Sequence, residues 1–193
     1  MSKDQKFLVL TPPSPPTVNA AYAVISSGDD GPAYVISRCQ VCGRLVSKKQ
    51  VLNLTIEMYG LEVMDFVWSD GDEVFVSSMA RETLTNCRLS GLNFCEANLA
   101  AWWAVDDSIK EMVDFSQILA PPKIFQLVVT GRGGSIYSKT KATLISQCAT
   151  CGTKVYQPLQ HGFRIAPEKW DGSDLFVMDE LPGYILMNEV AYS

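Results

Sequence analysis

The chain has 193 residues, 47% hydrophobic and 19% charged, enough to bury the core of a single domain. A net charge of −5 and a pI near 4.9 weigh against nucleic acid or an anionic membrane as partner. The apolar run Phe7–Leu10 is too short for a secretory core or a bilayer span. A cytoplasmic location is therefore expected, where six cysteines act as metal ligands or buried thiols and not as a disulfide frame.

In chain order, Phe7–Leu10 predicts a short first strand, and Thr11-Pro-Pro-Ser-Pro-Pro16 an extended connector. Ala21–Ser26 and Ala33–Ser37 are β-prone runs on either side of the turn signal Gly28-Asp-Asp-Gly31. The second run leads into Cys39-Gln-Val-Cys42-Gly43. Gln50–Glu57 alternates apolar and polar residues and predicts a half-buried strand. After the turn signal Ser69–Asp72, Glu73–Val76 predicts a brief strand. Ser77 or Ser78 caps a helix with an apolar stripe of Met79, Leu84 and Cys87 that ends near Gly91. Leu92–Cys95 predicts a strand, and Cys87 and Cys95 are expected in the core.

Asn98–Val105 is aromatic and apolar, with Asp106 and Asp107 next to it. The tryptophan pair Trp102 and Trp103 reads either as an interaction surface or as one core residue and one at its edge. Ile124–Thr130 predicts a strand. The following Gly131-Arg-Gly-Gly-Ser135 lacks the Gly-Lys-Ser/Thr ending of a phosphate loop and reads as a flexible connection. Ala142–Ser146 leads into a second knuckle, Cys148-Ala-Thr-Cys151-Gly152, and Val155–Pro158 leads out of it. Near the end, Asp171-Gly-Ser-Asp174 predicts an Asx-turn capping Leu175-Phe176.

The two C-x-x-C-G knuckles carry the clearest chemistry. Each tight turn aims two sulfurs at one point, and the glycine supplies the positive φ that the turn needs. Together Cys39, Cys42, Cys148 and Cys151 fill the tetrahedral shell of one structural Zn²⁺. A compact zinc ribbon separates its knuckles by roughly 15–20 residues. Here about a hundred intervene, so a shared metal would join distant parts of the chain. Four metal-free thiols, or disulfides within or between knuckles, are the alternatives. The expected architecture is α+β, mostly antiparallel strands with few helices, with two knuckle-bearing halves brought together. A single domain is expected, with two lobes (about 1–120 and 121–193) joined through the metal as a variant.

Catalytic signals are sparse. The single histidine, His161, has no evident partner, and no dinucleotide, kinase, zincin or nucleophile-elbow motif is present. A non-enzymatic protein is expected. A zinc-stabilised regulatory module and a thiol or redox enzyme remain as rivals.

The two knuckles, Val128-Val-Thr-Gly-Arg-Gly-Gly134, Trp170-Asp-Gly-Ser-Asp-Leu-Phe176 and Leu181-Pro-Gly-Tyr-Ile-Leu186 form a combined pattern. It resembles the double-CxxCG family of bacterial immunity proteins, which accompany polymorphic or contact-delivered toxins. The resemblance spans roughly residues 30 to 190 and is most specific from Cys148 onward. It implies a protein that binds and neutralises a cognate toxin domain without turnover. Trp102, Trp103, Asp106 and Asp107 are the candidates for the toxin-facing surface. The acidic balance would steer association with a basic toxin face.

Overall fold

The computed structural model describes residues 7–10, 22–25, 34–50, 52–60, 64–69, 73–106, 109–112, 122–134, 143–157, 165–166, 168–179 and 181–189. The connector at Thr11–Pro16, the turn at Gly28–Gly31, Asp107 and His161 lie outside them.

The elements in chain order are β1 (Phe7–Leu10), β2 (Tyr22–Ile25), β3 (Tyr34–Arg38), β4 (Leu45–Gln50), β5 (Thr55–Tyr59), β6 (Phe66–Ser69) and β7 (Val74–Ser77). Helix α1 (Ser78–Asn86) and β8 (Leu92–Asp106) follow. The last are β9 (Ile109–Met112), β10 (Ile124–Val129), β11 (Gly131–Arg132), β12 (Leu144–Gln147), β13 (Lys154–Tyr156), β14 (Leu175–Met178) and β15 (Leu181–Asn188). The described residues thus form an α+β fold with one helix, as expected. Most strand pairs are antiparallel, and β2–β6, β5–β8 and β11–β14 are parallel.

Two compact units interleave along the chain. One comprises Met1–Leu10, Tyr34–Gln50 and Val129–Ser193, the other Thr11–Ala33 and Val51–Val128. The two-lobe variant instead divides the chain once, near residue 120. All four knuckle cysteines fall in the first unit.

The second unit is a wide sheet in the order β10-β7-β6-β2-β5-β8-β9. An additional β8–β10 pairing closes it into a barrel, with β9 as an extra strand on β8. Alternation along β5 sends Ile56 and Met58 into the interior, where they meet Ala23, Leu54, Val67, Phe75, Ala97 and Ile124. The strand expected over Gln50–Glu57 begins only at Thr55, because Asn53 adopts φ 60° and breaks the extended run. Ser77 caps α1, its hydroxyl accepting the Ala80 N–H at 3.1 Å. The stripe expected on this helix is not its buried face. Met79 and Cys87 are exposed, Leu84 is half-buried, and Ala80 is the buried residue.

The first unit holds the four-stranded sheet β1-β15-β14-β11 and two separate hairpins, β3–β4 and β12–β13. Its core consists of Ile165, Phe176, Met178 and Leu186, with Phe7 and Trp170 packed against them. Phe7 meets both the Trp170 and Phe176 rings edge-on, with centroids 5.4 and 5.3 Å away.

Candidate metal centre

Each hairpin of the first unit turns through one knuckle, as the flanking strand signals predict. The two turns share one geometry. In the first, Cys39 N–H donates to Arg44 O and Gly43 N–H to Cys39 O, both at 2.8 Å. In the second, Cys148 N–H donates to Thr153 O at 3.0 Å and Gly152 N–H to Cys148 O at 2.9 Å. The closing glycines sit at φ 68° and 73°, a conformation a β-carbon would strain. The same short motif therefore folds the same way twice, through matching local hydrogen bonds.

The knuckles face one another. Cys39 Sγ lies 3.9 Å from Cys148 Sγ, and Cys42 Sγ lies 3.7 Å from Cys151 Sγ. All four sulfurs fall within 4.8 Å of each other. Sulfurs placed about 2.3 Å from a central ion at tetrahedral corners are separated by about 3.8 Å. The cross-knuckle distances match that edge, so the residues present fit a four-thiolate metal site. Cys39 is buried and the other three are half-buried.

The surroundings of the sulfurs differ between knuckles. At Cys151, the Thr153 hydroxyl (3.1 Å from the sulfur) and then the Thr153 N–H bring the thiol down to about 6. At Cys148, the N–H groups of Cys151 and Thr150 also lower it. At Cys42, the Arg44 N–H works downward, but burial and hydrogen bonds with the other three cysteines together raise the thiol to about 11. The backbone and hydroxyl donors of the second knuckle thus favour the charged form of its thiols, whereas the crowding of Cys42 by the other three sulfurs opposes it. Sequence reasoning passed over Thr153. Its signal was its place two residues after the second cysteine, where the first knuckle has Arg44.

The remaining motifs interlock within the same unit. Asp171 closes the expected Asx-turn, Oδ1 accepting the Ser173 N–H at 2.9 Å. Its Oδ2 reaches across to the Arg132 N–H at 2.8 Å. Trp170 Nε1 donates to Ser173 O at 3.1 Å, and Asn188 Nδ2 to Asp174 Oδ1 at 2.7 Å. The Gly131–Gly134 stretch is not a flexible connection. β11 pairs with β14, and a β-carbon on Gly133 would stand 2.6 Å from the Phe176 ring. These glycines are there so that backbone can lie flat against the core.

The other candidates are spread over the second unit. Trp102 packs against the barrel interior and donates to Gly60 O at 2.7 Å. Trp103 is on the outer face and donates to Glu57 Oε2 at 2.9 Å. Asp106 ends β8, paired with Ile109. Cys95 is half-buried, its thiol donating to Asn53 Oδ1 at 3.0 Å, while Cys87 is exposed and outside the core. Exposure at a helix end explains Cys87, since α1 turns Ala80 inward instead.

Among the described residues no helix is long and apolar enough to cross a membrane. Comparison with models of protein families, with curated proteins and with solved structures finds no match.

Proposed function

We propose that this protein is a bacterial immunity protein of the double-CxxCG type. It acts in the cytoplasm by binding and neutralising a cognate toxin domain. One zinc ion, held by Cys39, Cys42, Cys148 and Cys151, keeps its knuckle-bearing unit in shape. One observation carries the proposal. The segments that bear the resemblance, from both knuckles through Gly131–Gly134 to Trp170–Phe176 and Leu181–Leu186, fall in one compact unit, and several lock together by hydrogen bonds and ring contacts. A pattern assembled by chance would have no reason to coincide with one structural module.

Zinc is the ion that four thiolates at these separations suit best in a reducing compartment. Four protein ligands leave no position for water, so its role is structural and no metal-activated hydrolysis is expected.

The first test is metal content with a free-thiol count on fresh protein. One zinc per chain and two reactive thiols, Cys87 and Cys95, is the expected result. Six reactive thiols and no metal would remove the zinc. The functional test is co-expression with the toxin encoded by the neighbouring reading frame. Protection of growth and a stable complex are expected, and neither appearing would overturn the immunity reading.

A further inference from the structure

The two knuckles share a backbone and differ in one side chain beside a sulfur. In each, the residue two places after the second cysteine closes the turn with its carbonyl. Arg44 O accepts the Cys39 N–H at 2.8 Å, and Thr153 O accepts the Cys148 N–H at 3.0 Å. The N–H of the same residue also meets a sulfur, that of Cys42 from Arg44 and that of Cys151 from Thr153. Among the described residues, only the second knuckle adds a side chain to this pattern. Thr153 is half-buried, and its Oγ1 lies 3.1 Å from Cys151 Sγ.

A threonine in a turn needs no function to explain it. Here, though, the turn is served by backbone groups that Arg44 supplies equally well at the matching place, so it does not call for a hydroxyl. The hydroxyl answers the sulfur. A threonine O–H both accepts and donates. Beside a thiol it accepts the S–H, which is how Cys151 and Thr153 pair. A sulfur that ligates a metal has lost its proton and carries negative charge, and the hydroxyl then turns about its C–O bond to donate. Four thiolates around one divalent ion leave an excess of negative charge. A donor that takes up part of it favours the ligated state, and a hydrogen bond to a charged acceptor is the stronger kind. The same contact fixes the direction in which the Cys151 sulfur points.

We propose that Thr153 is a positioning residue of the metal centre, its hydroxyl orienting the Cys151 sulfur and sharing the charge that this sulfur carries as a ligand. The inference rests on the four-cysteine metal reading and is independent of the immunity reading. The experiment titrates the reduced, metal-free full chain with cobalt(II), whose bonds to thiolate absorb in the near ultraviolet. Zinc affinity is then measured against a competing chelator. Thr153→Val keeps the shape of the side chain and removes the hydroxyl. It should weaken zinc about tenfold. It should also move the sulfur-to-cobalt band to longer wavelength, because a thiolate without its hydrogen bond gives up charge more easily. Thr153→Ser returns the hydroxyl and should restore both. A merely structural role would not move the band. Wild-type zinc affinity or an unmoved band in Thr153→Val, or a loss that Thr153→Ser does not restore, would overturn the role of Thr153 and leave the metal site standing. A wild-type chain that gives no thiolate band with cobalt would overturn the site itself.

Discussion

In the barrel, Ala23, Ile56, Met58, Val67 and Phe75 lose all solvent contact, and Leu54, Ala97 and Ile124 nearly all. The cysteine unit has a smaller cluster, Ile165, Phe176, Met178 and Leu186, and its two knuckle hairpins are separate two-stranded sheets. On β12 all four side chains are exposed. An isolated hairpin is marginal in water, so β12–β13, whose first strand is exposed throughout, needs a link of another kind. The sulfur cluster that joins its tip to that of β3–β4 is placed to be that link. Apolar burial thus stabilises the barrel, and a metal at the proposed four-thiolate site would hold the two knuckle hairpins together.

The largest expected effect separates them directly. Stripping the metal with a strong chelator should release hairpins 34–50 and 143–157 while the barrel strands keep their protection. Hydrogen exchange read segment by segment checks this. Structural zinc in small modules contributes on the order of 10 kcal/mol, so the hairpins should exchange almost as free peptide. Equal loss of protection in β5 and β10 would mean the two units do not stand independently. Cys148→Ser should do the same without chelator.

Next come the cores. Phe75→Ala and Phe176→Ala each remove a fully buried ring, and each should cost about 3–5 kcal/mol in urea unfolding. The two variants should differ in which neighbours loosen. Phe176 also anchors Phe7 and Trp170, so Phe176→Ala should raise exchange at β1 and at 168–179, whereas Phe75→Ala should spare both. Gly133→Ala comes third. Its new methyl meets the Phe176 ring, and about 1–3 kcal/mol of overpacking is expected by the same measurement.

The same contrast between the units decides how much of each is legible in the residues. A C-x-x-C-G knuckle holds its own instructions, two thiols, a tight turn and a glycine, so both knuckles and their flanking strands were legible. That Cys39 would meet Cys148 was legible only as chemistry, from the four ligands a tetrahedral site needs. The barrel was not legible, because its parallel pairings β2–β6 and β5–β8 depend on partners far along the chain. One extra residue in β8 shows why. Ala100 has no partner between Leu99 and Ala101, and this bulge reverses the alternation. It sends Trp102 inward and Trp103 outward, the opposite of what simple alternation from Ala97 gives. Similarly, nothing in Gly131–Gly134 announces the ring that will lie against it.

The smallest expected effect concerns the turn that fastens this glycine stretch to Trp170–Phe176. Burial pushes the Asp171 carboxyl upward, but the Ser173 hydroxyl, the Ser173 N–H and the Arg132 N–H outweigh it and hold the group below its ordinary 3.8. A carboxyl lowered in the folded state contributes stability that is complete above its unfolded value. That contribution is lost as the pH falls through the lower, folded value. Wild-type protein should therefore lose part of its stability as the pH drops below about 4, when Asp171 protonates and loosens its hold on the Arg132 N–H. Asp171→Asn keeps one acceptor oxygen and cannot titrate. It should cost about 1 kcal/mol at neutral pH, with a difference from wild type that narrows on acidification. Urea unfolding of both proteins across that range checks the sign. A difference that stays constant with pH would mean that the neutral acceptor geometry matters and the charge does not.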